Sequence, residues 1–455
     1  MELERRPNLL SRFASKPLLK QLFWVYFLLL IFEGALRKWI LPQFSAPLLL
    51  VRDPVGLLII VEAFRSDKWP EKWSAVTGVL TAGLLGLCLI QVVGGGNPWI
   101  AALYGLRSYL LPFPVVFVMG ENLDAEDLRE FGLCTLWLLL PLTLLEVAQY
   151  LAPEGSILNV GAYEGAEQIS YAGTHVRASS TFSYVTGPSA FGPLAGAFLL
   201  YSLVNEKFGK RWLVWAASFA LILSIPVIGS RGMVIQLVAV VGCAGIAALC
   251  GVSQFLKTLR IVVPLLLIFG LVSLLPIFSE ASGSLMARFA DASENEGGVA
   301  HAVQSRTVGG ILNDLEQIDF ASNPVGRGMG QGSAAIAKLS TGQATFTAGE
   351  NELTRELIEL GAIPGIFFAT FRLGLAGYLV FAAIARARKL QPLALLLVPL
   401  TVSSLLLGAM EQPTGQGFMV IGLAFSLAAL KRAPAQVAMA SRVPQLRRAS
   451  WSAHG

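Results

Sequence analysis

Charged residues are scarce in this sequence. Of its 455 residues, 14% are Asp, Glu, Lys or Arg and 55% are hydrophobic, whereas soluble globular chains are about a quarter charged. The hydrophobic residues occur in long runs, and a helix needs about 20 such residues to cross a bilayer. The composition therefore excludes an ordinary soluble protein and predicts an all-α, polytopic membrane protein.

Histidine and cysteine are also rare, with three His and four Cys in the chain. The cysteines lie in apolar runs without the spacing of metal ligands, so we interpret them as packed side chains. The sequence predicts no metal site and no cofactor. The net charge of +5 does not indicate nucleic-acid binding, because the basic residues fall mainly in short loops and at the two ends.

Two polar segments resemble binding motifs only superficially. The glycine-rich stretch 323–332 lacks a preceding strand and a following Lys-Ser or Lys-Thr, which excludes a nucleotide-binding loop. We interpret it as a flexible turn that carries Arg327. The acidic stretch that begins at Asp291 has its glycine one position too late for a calcium loop and has Ala302 at the last ligand position.

The apolar runs predict about twelve transmembrane helices. The first is expected to be an uncleaved anchor, because no small-residue cleavage site follows the basic N-terminus. The predicted spans are 20–36, 46–64, 74–93, 98–118, 131–151, 187–204, 212–229, 232–250, 260–278, 362–384, 390–409 and 413–430.

The spans divide the chain into four regions. Residues 1–278 hold nine predicted spans and an outward loop near 152–186, and residues 279–361 form a large helical outward loop. Residues 362–430 hold the last three spans, and 431–455 form a tail. Most lysines and arginines fall on the side that carries both termini, which predicts that the termini are cytoplasmic.

Three arginines fall within predicted spans, where a charge usually faces a partner or a cavity. Arg52 is followed by Asp53 and a proline that interrupt the second span. It either forms a local ion pair at a helix break or faces a polar substrate cavity. Arg107 and Arg372 either extend to the interface or pair internally, and Glu146 is a candidate partner.

Two outward segments carry arginines suited to anions. Arg231 lies in a tight turn between Ser230 and Gly232, where glycine permits close approach of a ligand and a guanidinium matches phosphate oxygens. Alternatively, it contacts lipid headgroups. Arg177 lies in the hydroxyl- and aromatic-rich end of loop 152–186, which suits sugar or phosphate contact but also any ordered loop.

The large loop ends in a charged helix that leads directly into an apolar span. Asn351, Arg355 and Glu359 are four residues apart and share a face, so Arg355 and Glu359 are a candidate ion pair. Glu350 lies just before the helix, where the helix dipole favours a carboxylate. It either caps the helix or acts as a general base towards a hydroxyl.

An ordered set of motifs resembles the O-antigen ligase and polysaccharide polymerase family. The resemblance covers roughly residues 130–430 and extends to the span count and the position of the large loop. The motifs are Thr181-Phe182 with Gly187-Pro188-Ser189-Ala190-Phe191, Ser230-Arg231-Gly232, Asn323-Pro324-Val325-Gly326-Arg327-Gly328, and Glu350-Asn351-Glu352-Leu353 with Glu359-Leu360-Gly361 and Gly365.

The resemblance implies a metal-independent, inverting glycosyltransferase with a C-type membrane fold in the bacterial inner membrane. Such an enzyme transfers a glycan from an undecaprenyl-pyrophosphate carrier to an acceptor hydroxyl at the periplasmic face, in O-antigen or exopolysaccharide biosynthesis. The implied partners are the lipid-linked glycan, a sugar or lipid acceptor, membrane lipids and other polysaccharide assembly proteins.

The resemblance also implies roles for individual residues. In this family outward arginines hold the pyrophosphate, a role that falls to Arg231 as a catalytic residue and to Arg177 as a substrate-binding residue. Arg306 and Arg327 match this role more loosely.

The end of the large loop departs from the ligase pattern. Ligases carry a histidine where this chain has Glu350, which is the expected catalytic base, with Asn351 and Arg355 as substrate-binding residues beside it. The departure favours a polymerase over a lipopolysaccharide ligase.

Two other functions suit a polytopic membrane protein. A transporter would have charges clustered at mid-membrane and inverted repeats, and the sequence shows neither clearly. A non-catalytic component of a polysaccharide export complex would not need the outward arginines.

Overall fold

The computed structural model describes residues 15–162, 170–171, 175–205, 208–249, 283, 285–287, 324–333, 336, 352–389 and 391–431. This part of the chain is mainly helical. A two-stranded antiparallel pair, β1 (Ser170–Tyr171) with β2 (His175–Val176), precedes the middle helices.

Short turns join several of the helices. A π-helical turn, Leu36–Ile40, directly extends the first helix, and 3-10 turns occupy Pro42–Phe44 and Ile157–Asn159. The α-helices are α1 (Leu18–Ala35), α2 (Ser45–Leu48), α3 (Arg52–Arg65), α4 (Glu71–Val93), α5 (Trp99–Leu110), α6 (Pro112–Asn122), α7 (Ala125–Leu151), α8 (Thr186–Val204), α9 (Arg211–Ile228), α10 (Arg231–Leu249), α11 (Glu352–Leu360), α12 (Ala362–Ala387), α13 (Leu393–Leu406) and α14 (Pro413–Ala429).

The described residues contain seven helical segments long and apolar enough to cross a membrane, or eight if a bent pair is one span. That pair joins Pro42–Leu48 to α3 at 43°, which confirms the predicted interruption of the second span. Two further apolar helices, α13 and α14, are shorter. A polytopic helical membrane protein is thus confirmed, whereas the described part holds fewer than twelve qualifying spans. The predicted span 260–278 lies outside it.

The helices run between two ends of the molecule. At one, which we call the basic end, Lys16 lies 2.7 Å from Glu130, and Lys20 bonds Asp124. Asp124 also caps α7 by accepting from the backbone N–H of Asp127 at 2.9 Å. At the other end, which we call the loop end, lie the C-terminal ends of α1, α7 and α9, the N-terminal end of α12 and the connecting segments next to them.

Helix α14 lies at the centre of the bundle and is buried along almost its whole length. Its Phe425 ring lies 5.1 Å from Phe131, 6.0 Å from Phe198 and 6.3 Å from Phe27. These rings belong to α7, α8 and α1. A helix that is apolar on all sides is stable only when enclosed, and α14 thereby holds the surrounding helices in register.

Candidate functional site

Residues 177–183, which we call the serine loop, are folded into the loop end of the bundle. Thr181 Oγ1 donates to the carbonyl of Ile31 at 2.6 Å, and the backbone N–H of Ser180 donates to Gln149 at 2.7 Å. The loop backbone lies so close to Gly34 that any side chain there would collide with it. The sequence of this segment fits any ordered loop, whereas the structure shows it as a buried, fixed part of the core.

Two cations at the π-helical end of the first span contact this loop. Arg37 Nη1 donates to Ser183 Oγ at 2.8 Å, and Lys38 Nζ donates to Ser179 Oγ at 2.5 Å. π-Helical turns occur frequently at functional sites. Neither residue was predicted as a site residue. The available signal was a glutamate, Glu33, four residues before Arg37 at the end of a long apolar run.

The structure brings two of the predicted arginines to the same place. Arg177 Nε donates to the carbonyl of Ile228 at 3.3 Å, three residues before Arg231 in the chain. Ser230 Oγ accepts from the backbone N–H of Met233 at 3.3 Å and so caps α10. Arg231 is the first residue of this helix and is partly exposed. Helix N-termini attract anions, so Arg231 concentrates positive charge there.

Arg52 and Arg107 pair with carboxylates of other helices rather than with their neighbours along the chain. Arg52 Nε lies 3.1 Å from Glu33, and Arg107 Nε lies 2.5 Å from Asp53. Arg107 also donates to Gln416 at 3.2 Å. The predicted local pair of Arg52 with Asp53 is therefore wrong, because successive residues of a helix do not face each other.

A second group of buried charges lies on and around helix α11. We call it the α11 charge group, and it contains Glu352, Arg355, Glu356, Glu359, Arg372 and Glu411. Arg355 contacts Glu352 on its own helix and lies 2.5 Å from Glu411, which precedes α14. Arg372 of α12 pairs with Glu356, so internal pairing is the alternative that holds for Arg372. Arg355 thus pairs with Glu352 and Glu411, and not with Glu359, the candidate partner suggested by the sequence.

Glu359 is held by the glycine-rich loop. Its carboxylate accepts from the backbone N–H groups of Gly330 and Gly332 and from the hydroxyl of Tyr109, each at 2.8 Å. Gly330 has a φ of 80° and lies against the α5 backbone, where a side chain would collide. The loop is therefore a fixed cradle for an internal carboxylate and not the flexible turn expected from sequence.

Burial shifts the pKa values of carboxylates in the α11 charge group. It raises the pKa of Glu411 to about 7, with Arg355 opposing the rise and the charges of Glu352 and Glu359 adding to it. Burial also raises the pKa of Glu359. The pKa of Arg355 is raised because the surrounding acidic groups outweigh its burial. Among the described residues no three acidic, His or Cys side chains are grouped to hold a metal ion.

The predicted site residues thus fall into three sets. Arg177, the first residue of the serine loop, contacts Ile228 just before the turn that carries Arg231. Arg355 is buried within the α11 charge group, and Arg327 is exposed while its backbone N–H donates to the carbonyl of Ile358 at 2.8 Å. Three predicted residues lie outside the described part of the chain: Arg306, Glu350 and Asn351.

Comparisons with known proteins leave the family open. No protein-family model matches the chain, and no curated protein matches it either.

Proposed function

We propose that the protein is a polysaccharide polymerase or ligase. It would transfer a glycan from an undecaprenyl-pyrophosphate carrier to an acceptor hydroxyl, on the periplasmic face of a bacterial inner membrane. The observation that supports this most directly is the hydrogen bond from Arg177 to Ile228. It joins two loops distant in sequence and sets two arginines beside a helix N-terminus, a combination suited to a diphosphate.

In the proposed reaction the arginines act on the leaving group. The bond between the anomeric carbon and the phosphate oxygen breaks, and its electron pair leaves with the diphosphate. Arg177 and Arg231 stabilise the negative charge that develops on that oxygen, and fixed positive groups do this well because they need no reorganisation. No metal ion is required for this role.

Glu350 is the proposed base. It takes the proton of the acceptor hydroxyl while the acceptor oxygen attacks the anomeric carbon from the face opposite the diphosphate, which inverts the configuration. Glu350 lies two residues before Glu352, whose carboxylate accepts from the backbone N–H of Met410 at 2.9 Å. The α11 charge group would therefore give the base a rigid support, which catalytic geometry demands.

This support defines the role that we propose for Arg355. Its guanidinium contacts Glu352 and Glu411, and the residue as a whole is 4% exposed. Arg355 would therefore act on the substrate indirectly, by fixing the helix that follows Glu350 and Asn351. Arg327 is exposed and would contact the glycan or its carrier.

The test is a reconstituted transfer assay with a lipid-linked oligosaccharide donor. We expect Arg231→Ala, Arg177→Ala and Glu350→Ala each to lower the rate by about 100-fold or more, the usual effect of removing a group that stabilises the transition state. Lys72→Met is the matched control, because Lys72 is an exposed cation near Tyr378 at the basic end, and its rate should match the wild type.

Two results would count against the proposal. Wild-type rates in the Arg231→Ala and Glu350→Ala variants would refute the site assignment. Absence of product from every lipid-linked donor tested, with correctly folded protein, would refute the transferase itself and favour the transporter or export-complex alternative.

A further inference from the structure

Lys38 is a buried cation whose side chain contacts the serine loop. The residue is 3% exposed. Its ammonium donates to Ser179 Oγ at 2.5 Å and to the carbonyl of Ser180 at 3.2 Å. Within the part of the chain that the structure describes, its ion-pair contacts include no carboxylate. The preceding residue, Arg37, is a second cation.

The neighbouring cations differ in this respect. Arg37 lies 3.5 Å from Glu33, Arg52 lies 3.1 Å from the same residue, and Arg107 pairs with Asp53. Removing an ammonium from water costs several kcal/mol unless a counter-charge or full hydrogen bonding compensates. Among the described residues, Lys38 contacts two neutral oxygens and the face of the Trp39 ring but no carboxylate, so an anion at this point would supply a counter-charge.

The geometry around Lys38 indicates which anion would fit. An ammonium has three donors, and the serine loop accepts two of them, which leaves one for a ligand. Ser179 and Ser183 add hydroxyl groups on the same loop, and Arg37 donates to the second of these at 2.8 Å. An ammonium with hydroxyls beside a guanidinium is suited to the several acceptor oxygens of a phosphate group.

We propose that Lys38 and the serine loop form a phosphate-binding subsite for a phosphate ester or diphosphate. The subsite lies two residues from Arg177 along the chain, at the loop end of the first span. It rests on the proposed function in one respect: it would hold one phosphate of the lipid carrier while Arg177 and Arg231 hold the other. It extends the site to a span outside the motifs of the resemblance.

The test measures binding to the purified full chain in nanodiscs of neutral phosphatidylcholine. The probes are inorganic pyrophosphate in solution and, separately, farnesyl diphosphate in the nanodisc. Lys38→Met should weaken binding by about 10- to 100-fold, the range for a lost hydrogen bond to a charged group. The affinity of Lys38→Arg, which keeps the charge, should stay within several-fold of that of the wild type. Lys72→Met should bind the probes as tightly as the wild type does.

The two probes distinguish the source of the phosphate. Dependence on Lys38 only for farnesyl diphosphate identifies a lipid headgroup, and dependence only for pyrophosphate identifies a soluble ligand; both support the subsite. Equal binding of both probes by Lys38→Met and wild type overturns it. If Lys38→Met does not fold, as judged by its thermal midpoint, Lys38→Gln carries the same comparison.

A parallel transfer assay separates this proposal from the proposed function. Binding that depends on Lys38, in a protein that transfers no glycan, supports the subsite and refutes the transferase. Transfer and binding that are both unchanged in Lys38→Met overturn the subsite and leave the transferase in place.

Discussion

Glu411 is a residue through which the charge balance of the α11 charge group depends on pH. The group contains four carboxylates, those of Glu352, Glu356, Glu359 and Glu411, but only two guanidinium groups, those of Arg355 and Arg372. Four acids cannot all be ionised cheaply beside two cations in a buried position. The raised pKa of Glu411, about 7, shows where a proton is retained.

This gives a prediction for stability against pH. The pKa of Glu411 rises from an ordinary value near 4.5 to about 7 on folding, so the folded protein binds more protons between these values. The contribution of Glu411 to the free energy of unfolding should therefore be complete below about pH 4.5. It should be lost as the pH rises to 7, by on the order of 2 to 3 kcal/mol. Thermal midpoints of the wild type and Glu411→Gln in detergent, measured from pH 5 to pH 8, check this.

The comparison has an internal control. Glu411→Gln removes the titrating group, so its midpoint should fall less steeply with pH than that of the wild type. The pKa of Glu359 is raised as well, and its contribution remains in both proteins. Parallel pH profiles for the two proteins would show that Glu411 is ionised in the folded state at pH 5.

Pairing of individual charges was the least predictable property of the sequence. Spacing along a helix suggested Arg52 with Asp53 and Arg355 with Glu359, and both assignments are wrong. Glu33, the partner of Arg52, and Glu411, one of the two partners of Arg355, come from other elements and depend on how the helices pack. Local spacing carries no information about such packing.

Helix α11 shows how a strongly charged segment becomes an internal element. Almost every residue of Glu352–Leu360 is buried, although its sequence is that of an exposed helix. Arg372 from α12, Glu411 before α14 and the glycine-rich cradle each supply a partner for one of its charged groups. Its burial therefore depends on residues from other parts of the chain, both before it, such as Gly330, and after it, such as Glu411.

A double-mutant cycle tests this dependence. Arg372→Met alone would leave Glu356, which is 0% exposed, without its counter-charge and should destabilise the protein by about 3 to 5 kcal/mol. Adding Glu356→Gln removes the unpaired charge, so the double variant should recover much of this loss. The measurement is the unfolding midpoint in a denaturing-detergent titration.

The cycle has a clear contrary result. If the two substitutions are simply additive, the Arg372–Glu356 contact carries no coupling free energy, and α11 is held by its other contacts alone.

Helix positions were well predicted where apolar runs are long. The predicted spans 74–93 and 362–384 correspond to Glu71–Val93 and Ala362–Ala387, because hydrophobic length is a property of the sequence itself. The candidate site was only partly predictable. Arg177 and Arg231 were identified, but Arg37 and Lys38 follow an apolar run directly and look like an ordinary span end.

At the scale of the whole molecule, the two ends differ in their charge chemistry. The basic end carries half-buried lysines paired with acidic residues, such as Lys20 with Asp124, the capping residue of α7. The loop end carries buried cations around the serine loop. Because positively charged connections remain in the cytoplasm, we propose that the loop end faces the periplasm.

Thiol labelling of whole cells tests this orientation. In a background without the four native cysteines, Glu154→Cys at the loop end should react with a membrane-impermeant maleimide in intact spheroplasts. Lys68→Cys at the basic end should react only after permeabilisation. Both positions are exposed, so accessibility of the side chain does not limit the reaction. The reverse pattern would place the proposed site in the cytoplasm.

The position of α14 has a consequence for biosynthesis. Arg52 donates to the carbonyl of Pro413, 361 residues later, and Arg107 donates to Gln416, 309 residues later. A nascent chain that has inserted its early spans therefore holds both arginines in the membrane before these partners are translated. Assembly of the bundle must finish late, with the arrival of the final helix, and a chain truncated before Pro413 should be recognised and degraded as an incomplete protein.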